Sequence, residues 1–210
     1  MDLFEAVAVG DLATVNELVA ADPALVDRRH GSGPTPVLYA LYHRQPALAR
    51  ELGRHKRLDL AEAAALDEVD RVAELLDERE PVDGRTPDGF TPLQLAAFFG
   101  APRVVALLLS RGADVAAVAD NPMRIQALHA AAAGRHLEIA AALLAAGADP
   151  NATQQDDYTP LMAAAGNGDT ALARTLLAAG ADPAPAVALA RERGHSELAD
   201  ELVAAVSART

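Results

Sequence analysis

The 210-residue sequence predicts an all-α solenoid of about seven helix-turn-helix units with short turns and no sizeable sheet. Three observations carry that expectation. The stretch Asp88–Ala116 (DGFTPLQLAAFFGAPRVVALLLSRGADVA) reads as one complete unit, and its pattern returns at Gln126 and Thr159 after steps of 35 and 33 residues, with Gly112, Gly147 and Gly180 repeating in step. Each helix of that unit is only about eight residues long, short of the roughly 12–15 at which a lone helix becomes marginal in water, so the unit needs neighbours. Hydrophobic residues make up 51% of the chain but aromatics only 3%. Small apolar side chains on close-packed helices suit a stack of repeats better than one broad core.

Taken in order, the first pair is LFEAVAVGDLATVNELV, with Gly10-Asp11 between its helices. Asp22–Gly33 is a longer loop carrying Pro23, Gly31 and Gly33. Thr35-Pro36 opens the second pair, whose second helix, Ala47–Leu52, reads as short. Asp59 opens the third after a step of only 24 residues, so the usual turn is trimmed there, and Pro81–Pro87 is a second irregular stretch. In the fourth pair the Thr91 hydroxyl caps a helix and Pro92 stands where a first-turn residue has no N–H to give. Leu93–Phe99 supplies the first helix, ended by Gly100 in the left-handed conformation, and Pro102–Ser110 the second, closed by Gly112. Gln126 and Thr159 open the fifth and sixth pairs. Pro185–Val203 repeats the two helices with Gly194-His195 between them. The charged residues of the first and last pairs read as caps facing water, which points to a complete array.

The steps near 33 residues, with T-P-L-x-x-A-A and L-L-x-x-G-A-D, resemble the ankyrin-repeat family, whose unit is a β-turn plus two antiparallel helices. The likeness is strong over Asp88–Pro183 and looser before Thr86. It divides one continuous domain, 1–210, into an N-terminal cap with irregular repeats (1–87), three well-matched repeats (88–183) and a C-terminal capping repeat (184–210). The resemblance implies that His129 hydrogen-bonds neighbouring turns, and it gives structural places between helices to His136 and His195.

Composition excludes several functions. There are no cysteines, hence no disulfide, thiolate catalysis or thiolate metal site. The start of the chain lacks a basic leader and no apolar run approaches a membrane span, so a cytoplasmic protein without a membrane partner is expected. The net charge of −12, read as leaving no basic patch, argues against nucleic acid and in favour of a basic protein partner. One lysine, Lys56, against many arginines and alanines points to a GC-rich bacterial genome and a stand-alone array. The sequence offers no catalytic residues, metal ligands or cofactor: the six histidines lack H-x-x-x-H spacing, and neither G-x-S-x-G nor a Walker A loop occurs. Asp114, Asp149 and Asp182 recur at one motif position, which indicates turn capping rather than an acid pair.

The seven aromatics carry the functional signal. The family pattern implies that Tyr42, Phe90, Phe98, Phe99 and Tyr158 face the concave groove, while Tyr39 and Phe4 pack inward. On one reading Phe98 and Phe99 fill a gap beside the irregular third unit. On the other they anchor a binding groove, since large aromatics are the usual energetic anchors of interfaces. The expected partner-binding set is Tyr42, Asp88, Phe90, Phe98, Phe99, Met123, Ile125, Asp156, Tyr158 and Asn167. It implies a monomeric, non-catalytic module that binds a protein, with a regulatory or toxin-neutralising role. Self-association through the aromatic stripe, or an enzyme site in the irregular N-terminal repeats, are the alternatives.

Overall fold

The computed structural model describes residues 1–208. Fourteen α-helices form seven antiparallel pairs, and no strand occurs among the described residues. The first helices are α1 (Leu3–Val9), α3 (Pro36–Tyr42), α5 (Leu60–Ala65), α7 (Pro92–Phe99), α9 (Ala127–Gly134), α11 (Pro160–Gly166) and α13 (Ala184–Glu192). Each precedes its second helix: α2 (Leu12–Ala21), α4 (Pro46–Arg54), α6 (Val69–Asp77), α8 (Pro102–Ser110), α10 (Leu137–Ala145), α12 (Thr170–Ala178) and α14 (Ser196–Ser207). The first helices stack as one layer from α1 through α13, and the second helices from α6 through α12 form another.

Local chemistry sets the helix starts. The side chains of Asp2, Thr35, Asp59, Thr91 and Thr159 each accept a backbone N–H three residues on, satisfying a donor that the first helical turn leaves free. Glu5, Glu62 and Gln94 reciprocate and complete capping boxes. Gly100 takes φ +78° at the end of α7, as expected from the sequence. The recurring aspartates do cap turns: Asp114, Asp149 and Asp182 accept the backbone N–H groups of Ala116, Asn151 and Ala184 at 2.9, 2.8 and 3.1 Å. One expectation is corrected. The second helix of the second pair is not short; α4 has nine residues, because Pro46 starts it without a helical N–H and Arg54 continues it past Leu52.

The turns between pairs project as fingers beside the first helices and bond to one another. Asp120 N donates to Gly89 O at 2.9 Å and Gln155 N to Met123 O at 3.1 Å, linking successive fingers. Gly89 is required for this approach: its φ is +89°, and a Cβ there would collide with the Asp120 carbonyl. Leucines of the second helices and alanines of the first fill the interior, with Leu108, Leu143, Leu172 and Leu176 wholly buried. One buried cluster runs from Leu60 to Leu202 and another from Leu3 to Ala119, and Leu58 and Ile125 pack against both.

Candidate binding groove

The fingers and the first helices border a groove, and an apolar pocket of about 380 Å³ opens there between the second-pair helix α3 and the fifth-pair helix α9. Tyr42, Phe90, Leu95 and Phe98 form one side, and Met123, Ile125, Ala130 and Ala133 the other. Two of its polar lining side chains, Gln94 and His129, are already engaged. Gln94 Nε2 donates to Ala117 O (2.8 Å) and Ile125 O (3.1 Å), and Gln94 Oε1 accepts from Thr91 N. The His129 ring bonds Ala152 O through Nε2 at 3.0 Å and accepts from Gln126 N through Nδ1 at 3.3 Å. With those atoms occupied, the pocket presents an almost wholly hydrocarbon surface, which suits an uncharged side chain.

A second depression adjoins it, sharing Met123 and Gln154 and bordered by Gln155, Asp156 and Tyr158. The finger tips around it hold Arg124, Asp156 and Asp157 in the left-handed backbone region, with φ of 51°, 60° and 54°. Non-glycine residues seldom adopt that conformation, and where they do the surroundings enforce it.

The ten expected residues therefore divide. Tyr42, Phe90, Phe98, Met123 and Ile125 line the pocket, and Asp156 and Tyr158 the neighbouring depression. Among the apolar residues Phe98 and Met123 are exposed, at 40% and 47%, whereas Phe90 is 9% exposed and forms a pocket wall within the core. Phe99 is half-buried and packs on Tyr42, with ring centroids 5.7 Å apart. Tyr42 in turn donates its phenol hydrogen to Asp88 Oδ2 at 2.9 Å. Burial first, and then the Asp88 carboxylate, push the Tyr42 phenol above its ordinary range. The other oxygen, Asp88 Oδ1, is buried with no hydrogen-bond partner among the described residues. Asn167 lies exposed farther along the groove and donates to Ala132 O at 3.5 Å. Phe4 and Tyr39, expected to pack inward, are half-buried and share a ring cluster with His30 and His43. No sequence pattern signals this cluster, because His30 lies in the irregular loop.

Three of the histidines act as rungs between repeats. His129 reaches the following turn, as the resemblance implied. His136 bonds back to Phe98 O at 3.0 Å and His195 to Gly166 O at 3.3 Å. Burial holds the His129 imidazole below its ordinary value of 6.5. A depressed folded value means that neutral His129 contributes stability above about pH 6.5, lost as pH falls. A protonated ring also has no acceptor left for Gln126 N–H. Gln94 performs the same task one repeat earlier, so His129→Gln is expected to fold normally and to show a smaller fall in melting temperature between about pH 7 and about pH 5. Identical pH profiles for both proteins would remove His129 as the source.

The family description "Ankyrin repeats (3 copies)" matches residues 3–119 and 116–187, which together span most of the chain. The chain belongs to the ankyrin-repeat family. It is also 34% identical over 147 residues to the protein named Probable E3 ubiquitin-protein ligase XBOS31 from Oryza sativa subsp. japonica; the match takes in 70% of this chain and 28% of the rice protein. The chain thus spans little more than a quarter of that relative. Ankyrin repeats form a non-enzymatic, protein-binding fold, and this array supplies such a module. No helix among the described residues is long and apolar enough to cross a membrane.

The expectation of no basic patch is corrected. On the layer of second helices, away from the groove, Arg50, Arg54, Lys56, Arg57 and Arg71 gather around a cleft of about 460 Å³. The net charge concealed it, because acidic residues elsewhere outnumber these five.

Proposed function

We propose that this ankyrin array binds a basic protein partner through the groove, with one bulky apolar side chain of the partner seated in the pocket beside Phe98. The supporting observation is the pocket itself: an apolar opening whose Gln94 and His129 side chains are bonded from within, flanked by exposed Phe98 and Met123. Burying one such side chain contributes about 1.5–3 kcal/mol before ordering costs. Asp120, Asp156 and Asp157 are exposed at the finger tips, and with a net charge of −12 they favour a cationic partner at long range. The array acts as a monomer in the cytoplasm, sequestering or neutralising its partner, with regulation or toxin neutralisation as its role.

The test is a pair of substitutions, Phe98→Ser and Tyr158→Ser, assayed by pull-down and titration calorimetry. Each is expected to weaken partner binding about tenfold or more while the melting temperature stays near that of the parent. Phe98 is the sharper choice, since Phe99 and Phe90 contribute to packing. Binding lost only in proportion to stability would assign these rings to the core. A stable dimer by light scattering that Phe98→Ser dissolves would replace this reading with self-association.

A further inference from the structure

Residues 44–57 reverse the charge of the chain. They hold Arg44, Arg50, Arg54, Lys56 and Arg57 against the single acid Glu51, in a protein of net charge −12. The fold turns this run into a cleft. From α6 to α12 neighbouring second helices pack on one another, but α4 and α6 pack more weakly. The trimmed repeat step leaves residues 55–58 between them, and Leu58 and Leu66 give the cleft an apolar floor.

Lys56 is tied to Asp27 and Glu62, at 2.9 Å each, and the arginines are held more loosely. Arg54 pairs with Glu51 at 2.7 Å and Arg57 with Glu78 at 2.9 Å, both between exposed or half-exposed side chains. Arg71 pairs with Glu74 at 3.0 Å and also donates to Leu58 O at 3.0 Å. Arg50 is exposed and has no ion pair among the described residues. Glu68, also exposed, is the remaining acid on the lining. Exposed pairs of this kind contribute little to stability and exchange readily with an incoming anion. Arg54 on α4, Arg57 on the loop and Arg71 on α6 each pair with a separate carboxylate. That arrangement suits a row of single carboxylates better than one phosphate.

We propose that the cleft docks an acidic peptide segment of a protein partner, its carboxylates on Arg50, Arg54 and Arg57 and an apolar side chain over Leu58. This site is separate from the groove and does not depend on what the groove binds. Guanidinium–carboxylate pairing is directional and charge-assisted, which distinguishes it from general attraction.

The experiment is fluorescence anisotropy of the intact protein with a short labelled peptide of alternating glutamate and leucine. Saturable binding that weakens with added salt is expected. Arg50→Glu, Arg54→Glu and Arg57→Glu together should reduce affinity about tenfold or more. Phe98→Ser, in the groove, should leave it unchanged. Should the triple variant melt early, Arg50→Gln alone serves as the test and is expected to weaken binding at unchanged melting temperature. Absence of saturable binding, or affinity indifferent to these arginines, overturns the proposal. So does a single-stranded RNA or inorganic phosphate that displaces the peptide at equal concentration, since the site would then belong to phosphate.

Discussion

Replacing Lys56 with methionine is expected to cost about 3–5 kcal/mol of folding stability, because it strands a buried carboxylate. Lys56 is the chain's one lysine, and its side chain is 7% exposed. Its ammonium lies 2.9 Å from Glu62 Oε1 and 2.9 Å from Asp27 Oδ1, and the Glu62 side chain is fully buried. Glu62 Oε2 accepts from Asp59 N at 3.0 Å, so the same carboxylate caps α5. Gln94 and His129 hold the equivalent place in later repeats and donate to carbonyls of the next turn. An ionised glutamate has nothing to donate. The lysine from the preceding loop supplies the donor side of the contact.

The titration directions give this prediction a second readout. Burial alone would lower Lys56, but Glu62 and Asp27 outweigh it and hold the amine above its usual 10.5. Burial raises Glu62 above its usual 4.5 even with the lysine beside it. In Lys56→Met the carboxyl of Glu62 should therefore stay protonated to higher pH in the folded state than in the unfolded one. The variant is then expected to lose less stability near pH 5 than near pH 8, since stability falls as pH rises through that window. Urea denaturation at both pH values reads this directly. A loss under about 1 kcal/mol at both would mean the pair is not holding this joint together.

Leu143→Ala and Leu108→Ala are each expected to cost about 2–5 kcal/mol. Both side chains are fully buried, one on α10 and one on α8, in the cluster that links the third pair to the last. Truncation removes favourable transfer and leaves a cavity that rigid flanking helices close only in part. In a linear array the damage also weakens coupling between the repeats on either side. The urea midpoint should fall, and the transition should broaden or split as the two ends uncouple. Unchanged midpoints for both variants would contradict the packing of these second helices.

What the sequence determined by itself is whatever depends on atoms a few residues apart. Thr91 and Asp59 bond backbone groups three residues on, and Gly100 ends a helix through its own φ, so helix starts and stops and the period were legible. So were Asp114, Asp149 and Asp182, which reach only two residues along the chain. Exposure of the aromatics was not. Phe90 and Phe98 are close in sequence, yet one is a pocket wall and the other 40% exposed, because the stacking of α3, α7 and α9 decides which ring meets solvent. The same holds for the basic cleft and for the contact joining Lys56, Glu62 and Asp27. Both arise where a shortened repeat step leaves room between helices. The size of that space depends on how successive pairs are offset, and a repeat period alone does not specify that offset.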